Sequence, residues 1–162
     1  MFRLFFGEIS ENLALWEMYM LPQFDLSRVT SRLEKQGHVK EDLDVAVQEY
    51  RKFIFLCSQG ANICAPPKVD DVWHAHMLDS VHYFSDCEKY FGFYLHHDPC
   101  ENGVDEGDMN STLAFYEEVF GEKPNEVWME LATCAGPGKG CGSITMEKKG
   151  KFPPCKWAGN SM

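Results

Sequence analysis

Leu43, Val47, Tyr50, Ile54 and Cys57 recur at i, i+4, i+7, i+11 and i+14. That is the spacing of one face of a helix with about 3.6 residues per turn, and so long an apolar stripe must be covered by other elements. The chain is thereby committed to packing helices around this segment, which ends near Gly60. Ser10 is placed to cap a short helix through Leu13, Trp16 and Met20 that Pro22 stops, and Asp25 to cap a second ending at Gly37. Pro66 and Pro67 break the chain, and Asp70 and Asp71 fall in the first turn of a long helical segment reaching about Phe91, before Gly92. Met109, Leu113, Tyr116 and Phe120 repeat the helical spacing up to Gly121, and Pro124 opens a last short helix through Val127, Trp128 and Leu131. No run alternates as a strand would. The expected fold is all-α.

A chain of 162 residues suits one domain with one core. We expect a single small helical domain over 1–133 and an irregular tail over 134–162. The tail holds six of the 13 glycines, three of the seven cysteines (Cys134, Cys141 and Cys155) and five of the 15 basic residues, against one of the 25 acidic ones. Such a composition forms loops unless something ties it down. The body is correspondingly acidic, and the net charge of −10 speaks against a surface that grips phosphate backbones, so no nucleic acid partner is expected. A protein partner or a small-molecule substrate fits the charge better. The apolar run at the N-terminus is too short for a secretory signal, and no stretch approaches the roughly 20 apolar residues of a membrane span. The cysteines form no C-x-x-C pair, so reduced thiols and a cytoplasmic location are the expectation.

Five of the six histidines lie between His74 and His97. His74, His76, His82, His96 and His97 accompany Asp70, Asp71, Asp79, Cys87 and Asp98, and imidazole, carboxylate and thiolate are the ligand types of zinc, iron and copper. Residues two apart on a helix point about 200° apart, so His74 and His76 cannot face one ion from a regular helix. The ~100° steps of the helix put His76 with Asp79, Tyr83 and Cys87 near the apolar face of Trp73, Met77, Phe84 and Phe91, and His74 toward the opposite side with Asp70. His96 and His97 follow the Gly92 turn and point to opposite sides if extended; a fold-back would bring one of them to a helix histidine. The candidate metal ligands are therefore His74, His76, His96, His97 and Asp70, holding Zn²⁺ or Fe²⁺ near a helix N-terminus, with catalysis open if a coordination position is free. Two alternatives remain. One is an interaction module whose histidines form a structural hydrogen-bond network without metal, the other a metal-free enzyme with a histidine base oriented by Asp70 or Asp71. No H-E-x-x-H, G-x-S-x-G or deaminase-type pattern occurs, which leaves zinc-protease, α/β-hydrolase and base-deaminase chemistry without support.

The run from Val69 to Leu78 with Trp73-His74-Ala75-His76, then Tyr83, Asp86-Cys87 and Gly92, closing on His96-His97-Asp98-Pro99, resembles the glycine-rich domain-containing protein-like family. The likeness covers about residues 66–99, with weaker matches at Tyr50-Arg51-Lys52-Phe53 and from Cys134 to Gly142. It implies a helical domain without implying a reaction, and it leaves His82 outside the motif.

Overall fold

The computed structural model describes residues 20–59, 63–99, 106–129 and 142–143. Among the described residues six helices follow one another: α1 (Ser27–Lys35), α2 (Lys40–Ser58), α3 (Pro67–Leu78), α4 (Ser80–Phe91), α5 (Glu106–Phe120) and α6 (Glu126–Met129). The helix expected after Ser10, Leu131 and most of the tail lie outside the described residues. No helix among those described is long and apolar enough to cross a membrane.

The apolar stripe makes α2 the central helix. Leu43, Ala46, Tyr50, Phe53, Ile54, Leu56 and Cys57 are buried along it, and α3, α1 and α6 pack on it. On α3 the buried residues are Val69, Asp70, Val72, Trp73, Ala75 and His76, of which Val69, Val72, Trp73 and His76 form the i, i+3, i+4, i+7 series that faces α2. Before α1, the Arg51 guanidinium donates to the Pro22 and Phe24 carbonyls and so fastens residues 21–26 to α2. Asp25 accepts from the Ser27 N–H at 3.1 Å at the start of α1, and Asn125 accepts from the Val127 N–H at 3.0 Å at the start of α6, where Pro124 was expected to open the helix. Gly37, Gly92 and Gly121 hold positive φ where α1, α4 and α5 end, which a side chain would strain.

The helix expected from Asp70 to Phe91 is two helices. Asp79, at φ −89° and ψ 60°, breaks it, and its carboxylate is held there by Arg28 at 2.9 Å and His82 at 3.0 Å. The hydrogen bond from His82, with Arg28 adding to it, keeps the Asp79 carboxyl below its ordinary range. The break shifts the phase of everything downstream. Tyr83 and Cys87 are the buried residues of α4, whereas Phe84, expected on the core face, is 55% exposed.

A two-residue antiparallel pair joins β1 (Asp98–Pro99) to β2 (Gly142–Ser143), with Asp98 opposite Ser143 and Pro99 opposite Gly142. The glycine-rich tail is thus tied to the body immediately after His97.

At the middle of α2, a buried polar cluster fixes α5 and α6. Glu49 accepts from Trp128 Nε1 at 2.6 Å and Asn125 Nδ2 at 2.7 Å, and Lys52 Nζ donates to Tyr116 Oη at 2.9 Å and Glu122 Oε1 at 2.7 Å. Burial works against the Lys52 charge, but Glu122, Tyr116 and Glu49 outweigh it and hold its pKa above the ordinary value. Removing Glu49 strands several donors and a buried cation. Because Glu122 still serves Lys52, we expect Glu49→Ala to destabilise by about 3 kcal/mol, the lower end for a broken buried pair. Urea unfolding of the variant checks this; a loss below about 1 kcal/mol would mean that the cluster stays satisfied without its acceptor.

Candidate metal centre

Asp70 lies in the first turn of α3 and His74 one turn later, so their side chains stand on the same edge of the helix. The free N–H groups of that first turn favour a carboxylate there. His97 comes from outside the helix. After the left-handed cap at Gly92, residues 93–97 fold back along α4, where Leu95 is buried and its backbone N–H bonds the Cys87 sulfur. The Tyr83 hydroxyl donates to the Leu95 carbonyl at 2.7 Å and accepts from Trp73 Nε1 at 2.9 Å. The Trp73 ring lies against the His97 ring, with centroids 4.4 Å apart.

These constraints bring three side chains to a point. His97 Nε2 is 2.9 Å from Asp70 Oδ1 and 3.1 Å from His74 Nε2, while His74 Nδ1 is 3.7 Å from Asp70 Oδ2. One candidate ligand atom from each residue lies within 4.8 Å of the other two. Two of the side chains are nearly covered, at 11% exposure for Asp70 and 9% for His97, and His74 opens to solvent at 52%. Asp70, His74 and His97 could therefore hold a metal ion between them.

The protonation states are hard to satisfy without one. A neutral His97 Nε2 offers either an N–H or a lone pair. As a lone pair it accepts from His74 but then faces the Asp70 carboxylate acceptor to acceptor; as an N–H it must split one proton between a carboxylate and a histidine. Ligand atoms about 2.0 to 2.1 Å from a tetrahedral ion stand about 3.3 Å from one another. The observed 2.9 and 3.1 Å are close to that edge.

The other predicted residues stand apart from this cluster. His76, 1% exposed, points into the core, where its Nδ1 is 2.9 Å from the Tyr50 hydroxyl and its ring meets Tyr83 and Phe24. Burial drives the Tyr50 hydroxyl well above its ordinary pKa. The hydroxyl stays protonated, and where it donates to Nδ1 the His76 proton is on Nε2. That atom is buried without a hydrogen bond, since Asp86 Oδ2 at 3.3 Å is out of alignment with it. Burial lowers the His76 pKa, and the Asp86 carboxylate offsets this only in part. His96 is exposed, its ring 4.8 Å from that of Tyr94, and His82 is spent on Asp79. Asp71, beside the cluster, has its carboxyl raised by burial. Sequence reasoning missed the structural parts played by Trp73 and Tyr83. The available signal was that two aromatic residues with polar hydrogens on buried faces require partners.

These placements predict a reactivity order. In chelator-treated protein, diethyl pyrocarbonate near neutral pH should acylate His38, His74, His82 and His96, which are exposed, while sparing His76. Peptide mass spectrometry of the native protein checks this, and modification of His76 as fast as His74 would contradict its burial.

No curated protein and no solved structure matches the chain. The profile of the UCP032817-like family matches residues 11–115. This span takes in α1 to α4, most of α5 and all three residues of the Asp70, His74 and His97 cluster, and the chain belongs to the UCP032817-like family.

Proposed function

We propose that this protein is a metal-binding protein in which Asp70, His74 and His97 hold one Zn²⁺ or Fe²⁺. The observation that carries the reading is the position of His97 Nε2, 2.9 Å from a carboxylate oxygen and 3.1 Å from a second imidazole nitrogen. A single proton serves that arrangement poorly, and a cation serves it well. Two histidines with one carboxylate are the donor set of non-haem iron(II) sites with open positions, and three protein ligands with a fourth position free are the pattern of catalytic zinc. His74 is the half-exposed ligand, so the free positions face solvent on its side. Bound there, the ion would act as a Lewis acid toward a water or a small oxygen-bearing substrate. The residues contribute charge and orientation: the Asp70 carboxylate supplies the negative charge of the ligand set, and Trp73 holds the His97 ring from behind.

His76 and His96 belong to this reading only as neighbours. The same motif supports kinship with the glycine-rich domain-containing protein-like family, the cysteine pattern supports a cytoplasmic protein, and the acidic balance supports a small-molecule or protein partner and no nucleic acid.

Elemental analysis of protein purified without a histidine tag tests the centre. We expect about one zinc or iron per chain in the wild type, as one three-ligand site holds one ion. Asp70→Asn and His97→Gln should lose it, and His96→Gln should keep it. Chelation should lower the melting temperature of the wild type, because an ion bound only to the folded state stabilises it. A metal-free wild type that gains none from Zn²⁺ or anaerobic Fe²⁺ rules the centre out, as would equal metal content in wild type and His97→Gln.

A further inference from the structure

Asp70 and His74 are held by one helix, but His97 has to be carried to them. We propose that Tyr83, acting with Trp73, is a positioning residue for His97, and so sets the affinity of the metal centre without touching the ion. This rests on the metal-binding reading above.

The geometry makes Tyr83 the joint between three segments. Its hydroxyl is the only polar atom of a side chain 1% exposed. On one side it accepts the Trp73 Nε1 proton from α3, at 2.9 Å, and on the other it donates to the Leu95 carbonyl, at 2.7 Å. Burial holds the hydroxyl far above its ordinary pKa, so it keeps the proton that this donation requires. Leu95 is two residues from His97, and Trp73 is adjacent to His74. One hydroxyl thus links the segment that carries His97 to the helix that carries Asp70 and His74. The same indole that Tyr83 orients lies 4.4 Å, centroid to centroid, from the His97 ring. The backbone of the segment and the ring plane of its histidine are therefore fixed through one pair of hydrogen bonds.

Cys87 gives the segment a second attachment through the Leu95 N–H, so loss of the Tyr83 hydroxyl alone loosens His97 without releasing it. Such outer partners commonly tune metal affinity by about 10- to 100-fold.

The test is titration of apoprotein with Co²⁺ and Zn²⁺, followed by absorption spectra of the Co²⁺ form. Tyr83→Phe should keep its helical circular dichroism, bind metal about 10-fold or more weakly, and shift the Co²⁺ visible bands as His97 leaves its set orientation. Phe55→Leu, which thins the core where α2 meets Phe120 of α5, should lower the melting temperature and leave affinity and spectrum unchanged. If Tyr83→Phe does not fold, Trp73→Phe decides the matter, because it removes the indole proton while leaving an aromatic ring beneath His97; it too should weaken binding. Wild-type affinity and spectrum in the folded variant overturn the positioning role while leaving the metal centre standing. A wild type that binds neither Co²⁺ nor Zn²⁺ overturns both.

Discussion

The constraint on which the rest depends is that one apolar stripe seats α3 on α2. Val69, Val72, Trp73 and His76 face α2, and the period of the helix leaves Asp70 and His74 on the adjoining edge. Once Trp73 is in the core, the W-H-x-H sequence has no freedom left. The histidine after the tryptophan must come to the edge and the one two residues later must go in. Each then meets a different environment. His74 shares its edge with a carboxylate and is half open to water, whereas His76 is enclosed by Tyr50, Tyr83 and Phe24, where desolvation favours the neutral ring. One short motif supplies both a ligand-type histidine and a core histidine.

Burial at this depth imposes polar bookkeeping on the core as well. Tyr50, Trp73, Tyr83, Tyr116 and Trp128 are all buried, and each polar hydrogen among them has an acceptor. A buried donor left unmade costs about 1 to 3 kcal/mol, so these bonds act less by adding stability than by forbidding alternatives. Glu49 enforces the packing of α6 in this way, since no apolar residue there would direct Trp128 and Asn125 to one spot. Tyr83 does the same for the segment before β1. The exception is His76 Nε2, which is buried without a hydrogen bond; a position beside Asp86 lets the carboxylate stabilise it electrostatically without a formed bond.

Much of the helical layout was legible because its signals are local. The stripe from Leu43 to Cys57, Pro67 at a helix start, Gly92 and Gly121 at helix ends, and the all-α class follow from periodicity and punctuation. The break at Asp79 was not legible, because its cause lies elsewhere in the chain. Arg28, one of the two groups on its carboxylate, is 51 residues away, and His82, the other, reads in the sequence as one of a histidine cluster and not as a partner of Asp79. The unforeseen break misplaced Phe84 on the core face. The opposition of His74 and His76 was legible, being a matter of about 200° on a helix. Which of His96 and His97 would return to α3 was not, since it turns on the path after Gly92 and on Tyr83 reaching Leu95. The Glu49 and Lys52 cluster was missed for a similar reason: charged residues on a central helix read as its solvated face until the partners from α5 and α6 are known.

The provenance of the three cluster residues bears on how the centre would behave. Two ligands one turn apart on a helix keep their separation as long as the helix exists, so they carry little adaptability. The third comes on a short segment fixed by the Tyr83 and Cys87 contacts and followed at once by the pairing of Asp98 and Pro99 with Ser143 and Gly142. Any ion at the cluster would therefore be coupled to the docking of residues 93–97, since closing the ligand set and seating that segment are one event. Because β2 belongs to the glycine-rich tail, the coupling extends to the tail's attachment: what loosens the β1 and β2 pair frees the chain one residue beyond His97.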